Sequence, residues 1–485
     1  MFVGLDIGTS SVKAVLVDGS GAIVEVASRK LEVSCPHPLW REQDPADWVT
    51  ATLAAMDDLA AANPRAMSAL RAIGLSGQMH GAVLLDGAGA VVRPAILWND
   101  GRSGEECRLL TEACPELIDI AGNLAMPGFT APKLLWVARH EPAIWPRIAH
   151  VLLPKAYVRY QLTGAMVEDM SDASGTLWLD VGRRDWSDRL LAATGLTRAH
   201  MPRLVEGSAE AARLKPDLAA RWGIDHPVIV AGGAGDCAAS AIGLGAISPG
   251  DSFLSLGTSG VLFAVTDRFA PNPASAVHAF CHALPQTWHQ MGVMLSSGEA
   301  LSWAAKVLGE PEKTLLAPLG DTMAGPASVQ FLPYLSGERT PHNDPDASGA
   351  FLGLSAATTR SDLAQAVLEG VAFAVRDNLD ALGAAGTHLQ AIDLVGGGSR
   401  SNLWAQIMAD VLGIPVTRVE EGEVGAALGA ARLGRLAATG ESPIAVCEKP
   451  KPIKTFNPRD GVVAAYAAAH ARWHRFYPAL KDIRP

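Results

Sequence analysis

One string occurs twice in this chain, and it constrains the fold more than any other feature. Leu5-Asp6-Ile7-Gly8-Thr9-Ser10 returns as Leu254-Ser255-Leu256-Gly257-Thr258-Ser259. Val12 is answered by Val261 and Asp18 by Asp267. A fainter echo links Gly235-Asp236 and its Ala/Gly-rich sequel to Gly422-Glu423 with Ala426, Ala427 and Gly429. The two echoes keep their order, which is the mark of a duplicated unit. The expected organisation is therefore two similarly folded lobes, residues 1–246 and 247–485. Ser248-Pro249-Gly250 is the turn that crosses between them. With 485 residues to divide, each lobe can bury its own core.

Each copy reads as strand, turn, strand. Phe2 to Ile7 is apolar around one Asp, Gly8-Thr9-Ser10-Ser11 is the turn, and Val12 to Val17 is the return strand. Further strands are expected at Ala72–Leu75, Val151–Leu153, Val228–Val230 and Ile392–Val395. Helical spacing marks Trp48–Ala61, Leu134–Arg139 and Asp362–Leu382. Strands and helices that alternate in this way give an α/β layered fold. Lys449–Pro458 reads as a linker before an amphipathic helix over Val462–Tyr477.

Composition narrows the function. The hydrophobic fraction is 49% and the charged fraction 19%, as in an ordinary globular protein. A formal charge of -10 argues against a nucleic-acid partner, which a basic surface would serve. The six cysteines form no CxxC pair and no metal-binding spacing, which fits a reducing compartment. No signal peptide is recognised in MFVGLDIG. The apolar stretch Val228 to Ile247 is broken by Asp236 and five glycines, so a strand, a turn and a small-residue helix are expected there, not a membrane span.

Several positions carry chemistry. A Gly-Thr-Ser turn offers backbone N–H groups and hydroxyls to phosphate oxygens, and two such turns across a cleft can hold a polyphosphate from both sides. Asp6 stands where a buried strand prefers an apolar residue, and its carboxylate suits a hydrated Mg²⁺. Asp236 follows the glycine-rich run Ala231–Gly235 and opens a small-residue helix, near an N-cap. The helix dipole there favours a carboxylate, the form that accepts a proton. Gly396-Gly397-Gly398-Ser399-Arg400 follows a strand and is a second phosphate-binding candidate. Gly77-Gln78-Met79-His80-Gly81 and Trp98-Asn99-Asp100-Gly101-Arg102 offer groups that suit polyol hydroxyls.

Together these strings resemble the FGGY carbohydrate kinase family, and within it the xylulokinase branch. The likeness covers nearly the whole chain. Its most specific parts are Gly128–Val137 and the stretch from Gly349 through Phe351, Gly353 and Leu354 to Glu369, with GQMHGAVLLD, RPAILWNDGR and LPYLSGERTPHNDP. The resemblance implies two ribonuclease-H-like lobes of the actin/Hsp70 ATPase type with ATP in the cleft. It implies Asp236 and Asp6 as the catalytic carboxylates, Asp236 as base, with both on the side of the metal, Mg²⁺. Gln78, Met79 and His80 would contact the sugar together with Asp236. Gly8, Thr9, Ser10, Gly257, Thr258, Gly396, Gly397 and Asn402 would lie along ATP.

The implied reaction is phosphorylation of D-xylulose at O5, with another pentulose or polyol as the alternative substrate. Sugar and ATP are the implied partners, without nucleic acid or membrane. The cytoplasm is the implied location and a homodimer the assembly considered. Many relatives carry Asn or Gln after the catalytic Asp, where this chain has Cys237, so the preference for xylulose is less firmly implied than the kinase chemistry. Glycerol kinases are expected to carry Arg-Glu in place of Met79-His80. A non-enzymatic ATP-switched protein is the rival class, and the sugar-facing strings argue against it.

Overall fold

Phe2, Val3, Leu5 and Ile7 are buried, so Phe2–Ile7 (β1) forms the middle of a sheet. The chain turns at Gly8, whose N–H donates to the Ser11 carbonyl at 3.0 Å, and returns antiparallel as Ser11–Val17 (β2). Ile23–Lys30 (β3) extends this edge, while Ala72–Gly77 (β4) joins the other side of β1 in parallel. Glu210–Arg213 (β5) and Ile229–Ala231 (β6) complete the order β5-β6-β4-β1-β2-β3, and Ala234–Gly235 (β7) pairs with the end of β4. The computed structural model describes residues 1–321, 323–420 and 425–483.

The second half repeats the plan. Ser252–Leu256 (β8), Gly260–Thr266 (β9), His278–Cys281 (β10), Trp288–Met294 (β11), Ile392–Val395 (β12), Val416–Val419 (β13) and Pro452–Phe456 (β14) form the order β10-β11-β9-β8-β12-β13-β14. Taken outward from the central strand, both sheets run antiparallel, antiparallel on one side, where the second sheet adds a third antiparallel strand, β10, and parallel, parallel, antiparallel on the other. The repeat seen in the sequence is thus a repeat of topology. Gly422 and Glu423, half of the second echo, lie outside the described residues.

Helices cover the sheets. Pro45–Ala62 (α1) is capped by Asp44, whose carboxylate accepts the Ala46 N–H at 2.9 Å. Asp236–Gly243 (α2) follows β7, Arg360–Ala384 (α3) spans the second lobe, and Asn402–Leu412 (α4) and Gly425–Thr439 (α5) follow β12 and β13. Helix α5 belongs to the second half of the chain yet packs on β1 and β4 of the first sheet. A Cβ on Gly4 would lie 1.8 Å from the Ala427 carbonyl oxygen, and one on Gly429 would lie 1.8 Å from that of Ala239 in α2. Only glycine permits backbones to approach this closely. The two halves are fixed to each other through α2 and α5, directly beneath Asp236.

Two expectations change at the C-terminus. Lys449–Pro458 is not a free linker, because β14 pairs with β13 and closes the edge of the second sheet. Its side chains are mostly exposed, so the apolar pattern that marks an inner strand is missing, and Pro452 sits at the first strand position, where an edge tolerates it. The following helix ends at Trp473 (Val462–Trp473, α6), and a second short helix covers Phe476–Lys481. Helix α6 docks on the second lobe: the Tyr466 hydroxyl donates to Glu369 at 2.9 Å and the Trp473 indole donates to the Phe331 carbonyl at 2.7 Å. The stretch 228–247 becomes strand and helix as expected, and no described helix is long and apolar enough to cross a membrane.

Candidate active site

The parallel strands β1 and β4 end side by side, with Asp6 in register with Ser76. Burial pushes the Asp6 carboxyl up, while Ser76 and Lys13 pull it down. Its Oδ1 is buried without a hydrogen-bond partner among the described residues. An uncompensated carboxylate oxygen is costly in an apolar interior, and a hydrated divalent cation would satisfy it. The residues present therefore fit Mg²⁺, which Asp6 and Asp236 would hold.

Asp236 is the first residue of α2, one place inside the N-cap, which is Gly235. Its Oδ1 accepts the Cys237 N–H at 2.7 Å. Burial and the nearby charge of Asp6 push the carboxyl up to about 6, against the pull of that amide. The helix terminus alone would have kept it at the usual low value; desolvation and the second carboxylate outweigh it. Such a group is ionised at neutral pH yet basic enough to take a proton. The Cys237 thiol beside it is held far above its ordinary value by burial and by Asp236, so it is a neutral neighbour.

Below Asp236 lies a charged cluster that sequence reasoning missed. The fully buried Lys155 ammonium lies 2.5 Å from Glu168, 2.8 Å from Asp169 and 3.3 Å from Asp172. Burial opposes its charge, but Asp169 and its neighbours hold the pKa up. Asp169 accepts from the Ser171 hydroxyl at 2.5 Å, and that hydroxyl accepts the Gly235 N–H at 3.1 Å. The network thus fixes the backbone that aims Asp236. In the sequence, Glu168-Asp169-Met170-Ser171-Asp172 looks like a solvated acidic run. Its one signal was Lys155 and Arg159, four apart within an apolar helix.

The segment 77–81 meets the first Gly-Thr-Ser turn. Gln78 is 2% exposed, and its amide is fully engaged: Oε1 accepts the Thr9 hydroxyl at 2.9 Å and Nε2 donates to Gln43 Oε1 at 3.0 Å. The Thr9 hydroxyl in turn accepts the Trp98 indole N–H at 3.0 Å. Trp98 remains 48% exposed, so its ring face is open. Asp100 and Arg102, from the same polar string, pair with each other through three hydrogen bonds, two of them from the guanidinium. Met79 bridges toward Asp236, since a Cβ on Gly235 would lie 2.8 Å from its sulfur. His80 adopts φ 68°, a left-handed conformation, and the Lys133 ammonium fastens it by donating to the His80 and Gly128 carbonyls at 2.9 and 2.7 Å. The His80 Nδ1–H donates to the Gly175 carbonyl at 2.6 Å, and burial lowers the ring to about 3, so it is neutral.

On the second lobe the matching turn is fixed by its own backbone. The Thr258 carbonyl accepts the Ser297 N–H at 2.9 Å, and the Gly257 carbonyl accepts that of Gly298 at 2.7 Å. Gly396 takes φ 90°, and a Cβ there would lie 2.8 Å from the Leu256 carbonyl. Gly397 to Arg400 forms a single 3-10 turn before Ser401 caps α4. Asn402 opens that helix and its Oδ1 accepts from Arg418. Ser10 is exposed at the tip of the first turn.

Between the lobes lies a cavity of about 790 Å³. Asp6, Asp236 and Cys237 line one wall; Ser255, Val261 and Val395 line the other. The glycine turns at 257 and 396 begin one or two residues beyond Ser255 and Val395, while Met79 and His80 lie past Asp236. Arg432, Lys449 and Lys451 also line it, beside Glu420 and Glu448, and the Lys449 ammonium pairs with Asp251 at 2.6 Å. The two lysines sit in the segment read as a linker, which hid them. The cavity therefore brings the two buried carboxylates of Asp6 and Asp236 together with charged side chains of both signs.

The comparisons agree with this geometry. The model of the FGGY family of carbohydrate kinases, N-terminal domain, matches residues 1–243, and that of the C-terminal domain matches 253–438. A xylulose kinase of Escherichia coli (strain K12) is 49% identical over the full length of both chains. The crystal structure of a xylulose kinase from Brucella ovis, 55% identical and fully covered, superposes with a TM-score of 0.97. One from Rhodospirillum rubrum, 31% identical over 99% of each chain, gives 0.92. The repeated sheets, the interlobe cavity and these matches have one explanation: this chain belongs to the FGGY family of carbohydrate kinases.

Proposed function

We propose that the protein phosphorylates D-xylulose at O5 with MgATP. The observation that carries this reading is Asp236: a carboxylate raised to about 6, at the wall of the interlobe cavity, aimed by a buried network. The sugar lies along the first lobe, residues 1–246, past Met79 and His80, with Trp98 at its open side. ATP lies against the second, residues 247–485, along the turns at Gly257-Thr258 and Gly396-Gly397 and near Asn402, with Gly8, Thr9 and Ser10 facing it. Asp236 takes the proton of the C5 hydroxyl, whose oxygen attacks the γ-phosphorus in line, and ADP leaves. Magnesium, when bound at Asp6 and Asp236, neutralises charge on the phosphates. The named relatives are xylulose kinases, which supports this substrate. The cytoplasm, where ATP is available and unpaired cysteines stay reduced, is the matching location.

The test is ADP release with D-xylulose, D-ribulose, glycerol or no sugar, with the product's phosphate position read by NMR. Xylulose should give the highest kcat/KM and a 5-phosphate. Faster turnover of another sugar, or a phosphate on another carbon, overturns the assignment.

A further inference from the structure

The proposed reaction leaves one cation near the sugar unassigned. Arg339 lies on a second-lobe loop that is firmly held: Thr340 donates to the Val293 and Ala276 carbonyls at 3.0 Å each, and Glu338 and Asp344 exchange backbone hydrogen bonds at 2.8 Å. The neighbouring carboxylate does not pair with the Arg339 side chain. Glu338 Oε1 accepts the backbone N–H groups of Leu295 and Arg339 at 3.1 and 2.7 Å. Among the described residues no carboxylate lies within ion-pair distance of the guanidinium; burial lowers its pKa, and the charge of Glu338 acts on it from farther off.

What does hold the guanidinium is a defined chain of donors. The Asn123 amide donates to the Ala121 and Ala279 carbonyls at 2.8 and 3.0 Å, which fixes Oδ1 as its acceptor. That oxygen accepts the His278 Nδ1–H at 2.9 Å. The His278 Nε2 lone pair is then left to accept Arg339 Nη1, at 3.3 Å. His278 is kept neutral, chiefly by burial and then by the charge of Arg339. One first-lobe side chain and one second-lobe imidazole thus set the plane of the guanidinium and tie up a single one of its donors.

The location points to the sugar. The His80 ring lies 4.7 Å from Phe129 and 6.3 Å from Phe280, and the His278 ring lies 5.7 and 5.6 Å from the same two. The two imidazoles therefore share one aromatic wall, and the positive charge of Arg339 reaches His80. Met79 packs against Gly235, which precedes Asp236, Met79 and His80 both pack against Gly175, and Arg339 is joined to the same aromatic wall through His278. We propose that Arg339 is a further substrate-contacting residue, donating to the oxygens at the end of the sugar remote from the transferred phosphoryl group. On the reading of the substrate as an open pentulose, on which this inference rests, that end is the C1–C2 hydroxyketone. A guanidinium presents a rigid fork of donors, which matches two adjacent oxygens as an ammonium does not. A polyol, with a tetrahedral C2, does not offer the same planar pair.

The experiment compares kcat/KM for D-xylulose, 1-deoxy-D-xylulose and xylitol in wild type, Arg339→Gln, Arg339→Lys and His278→Gln. Arg339→Gln should lower the xylulose value about 10- to 100-fold, the range for a lost charge-assisted hydrogen bond. Its KM for ATP should stay within about twofold, and its preference for xylulose over the other two should collapse toward unity. His278→Gln should show the same collapse with a smaller loss of rate. Arg339→Lys, which keeps the charge without the fork, carries the test if the Gln variant fails to fold. Unchanged sugar preference in the folded variants overturns the proposal, whether all sugars slow equally or none does. Wild type that prefers another ketose overturns the xylulose reading alone, and the ratio is then taken with that ketose, its 1-deoxy form and its polyol. Wild type that accepts no sugar overturns both.

Discussion

Asp6 and Ser255 occupy the same place in two sheets of the same pairing pattern, yet their surroundings differ. Asp6 is flanked across the sheet by Lys13 and Ser76, and Ser255 by Val261 and Val395. After the parallel neighbour strand, the first lobe presents Gln78, Met79 and His80, whereas the second presents Gly396, Gly397 and Gly398. One copy of the fold carries side chains and the other carries bare backbone. On the proposed reading the duplicated scaffold divides labour: selective recognition of a small polar ligand takes side chains, while phosphate oxygens can be met by backbone amides.

The largest effect expected comes from Asp236, which has an ionised carboxyl at neutral pH and whose echo falls at Glu423, outside the described residues. Asp236→Asn keeps the shape and removes the proton acceptor, so kcat should fall about 10²- to 10⁴-fold. Wild-type kcat/KM should fall as pH drops below about 6, the value to which burial and Asp6 raise this carboxyl. Stability runs the other way. A carboxyl raised in the fold contributes stability below its unfolded value of 3.8, and loses it as pH rises through about 6. The Asn variant should therefore melt higher than wild type at pH 7.5, and the difference should shrink toward pH 4. A variant that keeps near-normal turnover removes Asp236 as the base.

Asp6→Ser makes the first lobe imitate the second. It should lower kcat about 100-fold and raise the Mg²⁺ concentration needed for half-maximal rate, because it removes the carboxylate proposed to hold the cation that faces the phosphates. The reciprocal Ser255→Asp would set a carboxylate between two valines, so it should lower Tm without restoring activity to the Asp6→Ser enzyme. An Asp6→Ser enzyme with reduced Tm and unchanged magnesium dependence would make Asp6 a structural residue only.

The sequence already displayed the elements that carry this contrast. The central hairpin of the first lobe appears at Phe2–Ile7 and β12 at Ile392–Val395, as their apolar runs and flanking glycines predict. Asp236 and Asp6 were legible because each breaks an apolar pattern, and the structure brings both to one cavity. The buried Lys155 network was not legible, because its acidic run has the composition of a surface and only tertiary folding encloses it. Arg432, Lys449 and Lys451 were missed for a related reason: long basic side chains carry no periodic signal, and an edge strand held by backbone pairing lacks an apolar pattern. Gln78 shows the limit in the other direction. It stands in the sugar-facing string, but its amide is engaged by Thr9 and Gln43.

His80 tests the side-chain half of the comparison. His80→Ala removes the ring that rests on Phe129 and on the Gly175 carbonyl. The pentulose KM should rise about tenfold, as for the loss of one hydrogen bond to a neutral ligand, with a smaller fall in kcat and an unchanged KM for ATP. Equal weakening of both substrates would show instead that His80, strained at φ 68°, supports the cleft as a whole.

The smallest effect belongs to the backbone half, at two adjacent glycines. A Cβ on Gly397 would meet nothing within 4 Å, so Gly397→Ala should fold normally and melt at or slightly above the wild-type temperature, since alanine restricts the unfolded chain. If ATP lies along this turn, the added methyl stands between the backbone and the nucleotide. The KM for ATP should then rise about threefold, an energy of less than about 1 kcal/mol, with the KM for the sugar unchanged. Gly396→Ala is the control. There φ is 90° and the new Cβ would press on the Leu256 carbonyl at 2.8 Å, so the fold itself should lose about 1–3 kcal/mol. The paired result separates a glycine needed for its conformation from one needed for its lack of a side chain. Gly397→Ala with an unaltered KM for ATP would move the nucleotide away from this turn.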